Sequence, residues 1–341
     1  MTTKKYVRQM KWFFIALLSL GMSSGVFASS SSTAKCPSDS FAEFVKAFSS
    51  EREIQKAFVV SPVKHVHVTA DGKIPKVVEQ SLSAIAADEL NVLLPENAIS
   101  LNLKIEIELP NRVIVRDEKG HFLKIFVFKH DHCWALKRVE DWTLDAVMDE
   151  ITQSEKLAPG ELELKKGVIF DRLVNKASAE SGIYLYAAVL DSYLDGARKG
   201  SAQAAVAAAG ISLSGMAPRL DNDEILSLLI QAYNSIPDVA VSLAQFYCDQ
   251  GDYEVRRACV DPQKSIATLE GAVMRGSTRA LIRLGEVYES DAVVPSDLPR
   301  ALACYREAQK TMPQLVARKV DQLVARGVLD NSIQCIKAGS L

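Results

Sequence analysis

The side chains best suited to metal or acid–base chemistry are five histidines, His65, His67, His121, His130 and His132, all in the first 132 residues. His65-Val66-His67 lies in an alternating stretch, so a strand there carries both imidazoles on one face. His130-Asp131-His132 sits where a hairpin turn precedes Trp134. Neutral imidazole is the usual nitrogen ligand of zinc, so His65, His67, His130 and His132 are the candidate ligands. The competing reading is solvated strand and turn residues, because no spacing in the sequence brings the two pairs together. The expectation is no metal and no cofactor. The carboxylates Asp117, Glu118, Glu140 and Asp141 fall near strand ends without a spacing that favours a catalytic pair.

Nucleophile motifs are equally thin. Ser32-Thr33-Ala34-Lys35 matches the Ser-x-x-Lys of penicillin-recognising enzymes, but it lies in a serine-rich tether without the partner motifs that chemistry needs. Gly210-Ile211-Ser212-Leu213-Ser214 lacks the last glycine of a nucleophile elbow. No phosphate-binding loop or dinucleotide fingerprint occurs. The expectation is a protein without catalytic residues.

Six cysteines occur, all after residue 28. Fifteen pairings are open for six cysteines. Cys248 and Cys259 flank a short loop between two predicted helices and are the favoured local pair. By elimination Cys36 with Cys133 and Cys304 with Cys335 come next, each within its own predicted domain.

The elements that must position these residues begin with an export signal. Lys4, Lys5, Arg8 and Lys11 precede the apolar run Trp12 to Met22, and Val26-Phe27-Ala28 supplies the small-residue cleavage pattern. Residues 1–28 are therefore predicted to be a cleaved signal peptide, which places the protein in the periplasm or outside the cell. The apolar run is too short to span a bilayer, which takes about 20 residues, so no stable membrane span is expected after cleavage. The chain has 40 Lys/Arg and 42 Asp/Glu. The signal removes four basic residues, leaving 36 against 42 and a net charge of −6. That balance gives no electrostatic reason to expect nucleic acid as a partner. An even cysteine count in an exported chain argues for disulfides.

Residues 29–35 form a low-complexity, disordered tether. Residues 36–150 mix helices and strands. Phe41, Phe44, Val45 and Phe48 share one helix face, Ser40 with Glu43 predicts a capping box, and Ser50 with Glu53 a second cap whose turn buries Ile54 and Phe58. Val63–Thr69 alternates as a strand, followed by a turn at Ala70–Lys73. Leu82–Leu94 is predicted helical and ended by Pro95. Strands are expected at Leu101–Leu109, Val113–Arg116, Phe122–Phe128 and Trp134–Val139. Helices first and an antiparallel sheet second describe an α+β domain. The run Phe41-x-x-Phe44-x-x-x-Phe48-Ser49 with Gln55-x-x-Phe58, and the ending Cys133-Trp134-Ala135-Leu136 with Glu140-Asp141-Trp142, resemble small exported bacterial domains of the nuclear-transport-factor-2-like kind. The resemblance covers about 110 residues and implies a cone-shaped cavity without a fixed activity.

Residues 151–177 are a linker or helix, and residues 178–341 are predicted to be an all-α helical-repeat solenoid with a C-terminal cap. Leu243-Ala244-x-x-Tyr247 superposes on Leu284-Gly285-x-x-Tyr288. Asp261-x-x-Lys264 with Ala272 superposes on Asp297-x-x-Arg300 with Ala308, and Gly200-Ser201-Ala202 echoes Gly276-Ser277-Thr278. Small residues let paired helices approach, Asp caps the second helix, and Gly ends it in a left-handed turn. One pair cannot bury its apolar face, so neighbours stack. The pattern resembles the Sel-1-like repeat, a tetratricopeptide relative, over about residues 178–326. That resemblance implies an adaptor of the bacterial envelope that binds a protein or peptide in a concave groove, with Tyr247, Tyr288 and Tyr305 as candidate groove residues. Two alternatives stay open: an enzyme or small-ligand binder using the N-terminal cavity, and recognition of cell wall or β-lactam.

Overall fold

The computed structural model describes residues 34–252, 258–330 and 332–336. The predicted signal peptide and Ser32 lie outside them. Cys36 to Leu341 form one compact unit.

Helix α1 (Phe41–Ser50) buries Phe41, Phe44, Val45 and Phe48, the stripe that the i, i+3, i+4, i+7 spacing dictates. The two expected caps are not formed. Ser40 stands at the N-cap but its side chain makes no capping bond. Ser50 belongs to α1, where its hydroxyl bonds back to the Lys46 carbonyl, and Glu51 precedes α2 (Arg52–Ala57). Ile54 and Phe58 are only half-buried; Gln55 is the buried residue of that turn.

A long hairpin follows, β1 (Val59–Asp71) and β2 (Ile74–Leu82), then the short helices α3 (Ala87–Asn91) and α4 (Pro95–Ser100). The helix expected over Leu82–Leu94 is thus largely wrong. Its first residue ends β2, and only five residues are helical. Pro95 opens α4 instead of closing a helix, because its missing N–H costs nothing at a first helical turn. The remaining strands are β3 (Lys104–Glu108), β4 (Arg112–Arg116), β5 (Leu123–His130) and β6 (Trp134–Asp141). The strand expected from Leu101 starts at Lys104. The six strands form one sheet in the order β2-β1-β6-β5-β4-β3, with β1 and β6 parallel and all other neighbours antiparallel.

Both faces of the central strands are covered, which is why β5 is buried from Leu123 to Phe128. Phe126 and Phe128 pack with Phe41, Phe44 and Phe48 on one face. Leu123, Ile125 and Val127 join a second core with Phe170, Leu185 and Val189 on the other. Those residues come from the helical half: α5 (Asp145–Ser154), α6 (Glu161–Val174), α7 (Ala179–Arg198), α8 (Ala202–Leu213), α9 (Asn222–Ser235), α10 (Ala240–Asp249), α11 (Pro262–Met274), α12 (Thr278–Glu289), α13 (Leu298–Gln309) and α14 (Pro313–Ala325). The fold is therefore an α+β region followed by a helical-repeat solenoid. No described helix is long and apolar enough to cross a membrane.

The repeat spacing has a structural counterpart at each cap. Asp221, Asp261 and Asp297 accept from the amides of Glu224, Lys264 and Arg300 at 2.8, 3.0 and 3.2 Å, opening α9, α11 and α13. Ser201 and Ser277 cap α8 and α12 after Gly200 and Gly276, both at positive φ. The small residue of the first helix has a specific use. A Cβ on Gly285 would stand 2.5 Å from Cε1 of the fully buried Tyr305, and one on Gly167 would stand 2.3 Å from Cε1 of Tyr193. Hairpin α6/α7 thus repeats the glycine-on-tyrosine contact of α12/α13.

Candidate functional site

First helices of successive pairs, α8, α10 and α12, line an open trough of about 530 Å³. Its walls differ in chemistry. On α8, Val206, Gly210 and Leu213 fall at i, i+4 and i+7 and make an apolar wall. On α10, Val241, Ser242 and Gln245 form the floor, and on α12 Arg283 and Glu286 form the polar wall. Arg283 donates to Glu286 Oε2 at 2.9 Å and to Gln245 Oε1, and Gln245 Nε2 donates to Asp249 at 2.5 Å. This chain of bonds fixes the polar wall. An apolar wall thus faces a hydrogen-bonded polar one across the trough.

Gly210 sits in the last turns of α8, where Gly costs about 0.5–1 kcal/mol relative to Ala. Of the other glycines inside helices, those at 167, 196, 271 and 285 meet a neighbour within 3 Å of an added Cβ, and Gly182 of α7 meets Val174 at 3.5 Å. Gly210 meets nothing within 4 Å. Its lack of a side chain leaves the α8 wall low at the trough instead of making room for a packed neighbour.

The tyrosines expected at the groove are elsewhere. Tyr288 is 5% exposed and Tyr305 is fully buried, so both are packing residues inside the array. Tyr305 donates to Glu289 at 2.8 Å, and Glu289 also holds Lys319 at 2.7 Å. Tyr247 is half-buried, with the Lys264 ammonium 5.7 Å above its ring. Arg300 lies 5.0 Å over Tyr288 in the same way. These tyrosines anchor the capped start of the following helix, and the groove side chains are Val206, Val241, Gln245, Arg283 and Glu286. No sequence signal marks them, because α8 is alanine-rich and shows little contrast between its faces.

The histidine pairs do not meet. His65 is in register with Val139 and His67 with Asp141, whereas His130 is opposite Trp134 at the other end of β6. Among the described residues no cluster of three or more ligand-type side chains is placed to hold a metal. His65 and His67 stack with centroids 5.1 Å apart. Beside them Lys124 bridges Glu89 at 2.5 Å and Asp141 at 2.9 Å. Burial alone would lower the Lys124 pKa, but the two carboxylates outweigh it and raise it. Burial holds His65 below the ordinary histidine value. Arg138 bonds Glu140, which also accepts from Trp142, so this carboxylate is structural.

A second charged seam joins the sheet to α6 and α7. Lys166 is 4% exposed and bonds the Lys119 carbonyl at 3.0 Å; burial pushes its pKa down to about 8. Asp191 pairs with Arg116 at 2.8 Å, yet burial raises its pKa to about 6. Lys199 ties Glu163 and Asp195 at 2.6 and 2.9 Å.

All six cysteines are paired, as Cys36–Cys133, Cys248–Cys259 and Cys304–Cys335. The first ties the chain before α1 to the β5–β6 turn, the second closes the α10–α11 loop, and the third pins the segment after α14 to α13.

No family model and no curated protein matches this chain. Among solved structures it is similar to a Sel1 repeat protein from Oxalobacter formigenes, at 17% identity and a TM-score of 0.39, over 55% of this chain and 73% of that one. It is also similar to a protective antigen of uropathogenic Escherichia coli that displays an SLR fold, at 17% identity and a TM-score of 0.42. That match covers 54% of this chain, which spans only 38% of the antigen's length.

Proposed function

We propose that this is an exported, non-enzymatic interaction protein of the bacterial envelope that receives a segment of a partner protein in the trough of α8, α10 and α12. The observation that carries the reading is the trough itself: an apolar wall with an open position at Gly210 faces a hydrogen-bonded Arg283–Glu286 wall. Export is supported by the complete pairing of the cysteines, since disulfides persist in oxidising compartments. Sel-1-like character is supported by the repeated Asp and Ser caps and the glycine-on-tyrosine contacts. One six-stranded sheet with α1 packed on its Phe126–Phe128 face supports a nuclear-transport-factor-2-like reading of residues 36–150.

The test is site-specific photocrosslinking in the native envelope. A photoreactive phenylalanine at Ser242, in the trough, should capture one defined protein. The same group at Ser227, exposed on α9 and not lining the trough, should not. Equal capture at both positions, or none at Ser242, would remove the proposal.

A further inference from the structure

Strand β3 is one end of the sheet and pairs only with β4. An unpaired strand presents a row of free amides and carbonyls, and it invites a second strand unless something covers it. In this chain the two faces of the edge have opposite character. Ile105 and Ile107 pair across to Val115 and Val113 and so lie on the face of the Phe126–Phe128 core. Leu103 and Leu109 flank the strand with the same parity. Ile107 is 43% exposed and Leu109 is 72% exposed, and Ile99 and Leu101 just before the strand are 79% and 57% exposed. The other face carries Lys104, Glu106 and Glu108, all exposed.

The order Lys104-Ile105-Glu106-Ile107-Glu108 is self-complementary in one register. In an antiparallel pair centred on Glu106, Ile105 of one copy stands opposite Ile107 of the other, and Lys104 opposite Glu108, each twice. Directly opposed residues are close enough to interact. The two central Glu106 carboxylates would face each other, but each already has its own cation, since Arg116 holds Glu106 at 3.1 Å. Sliding by two residues one way opposes Glu106 to Glu108, which repels. Sliding the other way opposes Lys104 to Glu106, which Arg116 already occupies. A slip of one residue puts the isoleucines opposite charges. Lys104 is paired with Glu118 in the single chain, and both side chains are more than half exposed, so that surface pair competes weakly.

We propose that β3 is a self-association edge, on which a second copy of this chain pairs antiparallel about Glu106 and extends the sheet across a two-fold axis. The exposed Ile107 and Leu109 are covered by Ile105 and Leu103 of the partner copy. The surface is on the sheet, remote in sequence from the trough on α8 to α12, so it is independent of the partner reading above.

Sedimentation velocity on the disulfide-bonded protein, from 1 to 200 μM, tests this directly. The wild type is expected to shift from monomer to dimer across that range. Lys104→Glu and Glu108→Lys each place like charges opposite one another and should raise the dissociation constant at least tenfold. The double variant Lys104→Glu/Glu108→Lys restores the opposed pairs and should return it to within threefold of wild type. Both changes are at exposed positions, and unchanged circular dichroism and melting temperature confirm that each variant is folded. A wild type that stays monomeric to 200 μM overturns the proposal. So does a dimer that neither single variant weakens, or single defects that the double variant does not rescue.

Discussion

Two glycines in the same array should respond in opposite ways to one added methyl group. At Gly285 an alanine Cβ would lie 2.5, 2.7 and 2.9 Å from Cε1, Cδ1 and Cζ of Tyr305. Ordinary contact begins near 3.4 Å, so the ring or the helix must move by close to an ångström. Tyr305 has little freedom to do so. It is fully buried, and its hydroxyl is held by Glu289, itself held by Lys319. Overpacking of this kind costs about 1–3 kcal/mol, against about 1 kcal/mol gained from replacing a helical glycine by alanine. Gly285→Ala should therefore destabilise the protein by up to about 2 kcal/mol, combining those two figures. Gly210→Ala meets open space and should stabilise it by about 0.5–1 kcal/mol. Equilibrium urea unfolding, followed by far-ultraviolet circular dichroism, reads both as midpoint shifts at constant slope. Adding Tyr305→Leu to Gly285→Ala should recover part of the clash, giving a non-additive cycle. If Gly285→Ala raises the midpoint as Gly210→Ala does, glycine is not there for helix approach, and the packing account of the repeat is wrong.

The seam between sheet and helices makes further tests. Lys166→Met should stabilise the protein at pH 7 by up to about 3 kcal/mol, the equivalent of its depressed pKa. Because the folded pKa near 8 lies below the unfolded value near 10.5, the unfolded chain binds more protons between them. Wild-type stability should therefore gain from this group as pH rises from 8 toward 10.5, a gain absent in Lys166→Met. Asp191 has the opposite sign. Its folded pKa near 6 exceeds the ordinary 3.8, so its contribution is largest below pH 4 and is lost as pH rises through 6. Asp191→Asn should flatten the stability profile between pH 4 and 7 in thermal melts, and an unchanged profile would show that the Arg116 pair holds Asp191 ionised throughout. Replacing Cys248 and Cys259 by serine opens a loop of sequence separation 11 and should cost about 3 kcal/mol on chain-entropy grounds, read again by urea unfolding. Zinc titrated into the protein should show no site tighter than tens of micromolar, because His65/His67 and His130/His132 lie at opposite ends of β6.

The parts of this structure legible in the sequence are those set by local stereochemistry. The caps at Asp261 and Asp297 act within three residues and recur at matched repeat positions, which makes them legible, whereas the caps expected at Ser40 and Ser50 on spacing alone are not formed. The phenylalanine stripe of α1 follows from helical period. Strand β2 is not legible because Ile74–Leu82 holds Pro75 and no fully buried side chain, and what makes it a strand is its pairing with β1. The trough was missed for a related reason. Helix α8 is alanine-rich and shows little contrast between its faces, so which residues face the groove depends on where α10 and α12 sit. Tyr288 and Tyr305 looked like groove residues because large side chains serve both roles. Only the glycine opposite each ring, or the cation above it, decides between them.

Once a partner is captured at Ser242, its affinity for wild type and for Gly210→Trp tests the central claim most directly. A Cβ at this position meets nothing within 4 Å, so a large side chain starts in open space at the trough. Isothermal titration should show at least a thirtyfold loss of affinity for Gly210→Trp with a melting temperature no lower than that of the wild type. Equal affinity for the two proteins would mean that the partner does not enter the trough of α8, α10 and α12.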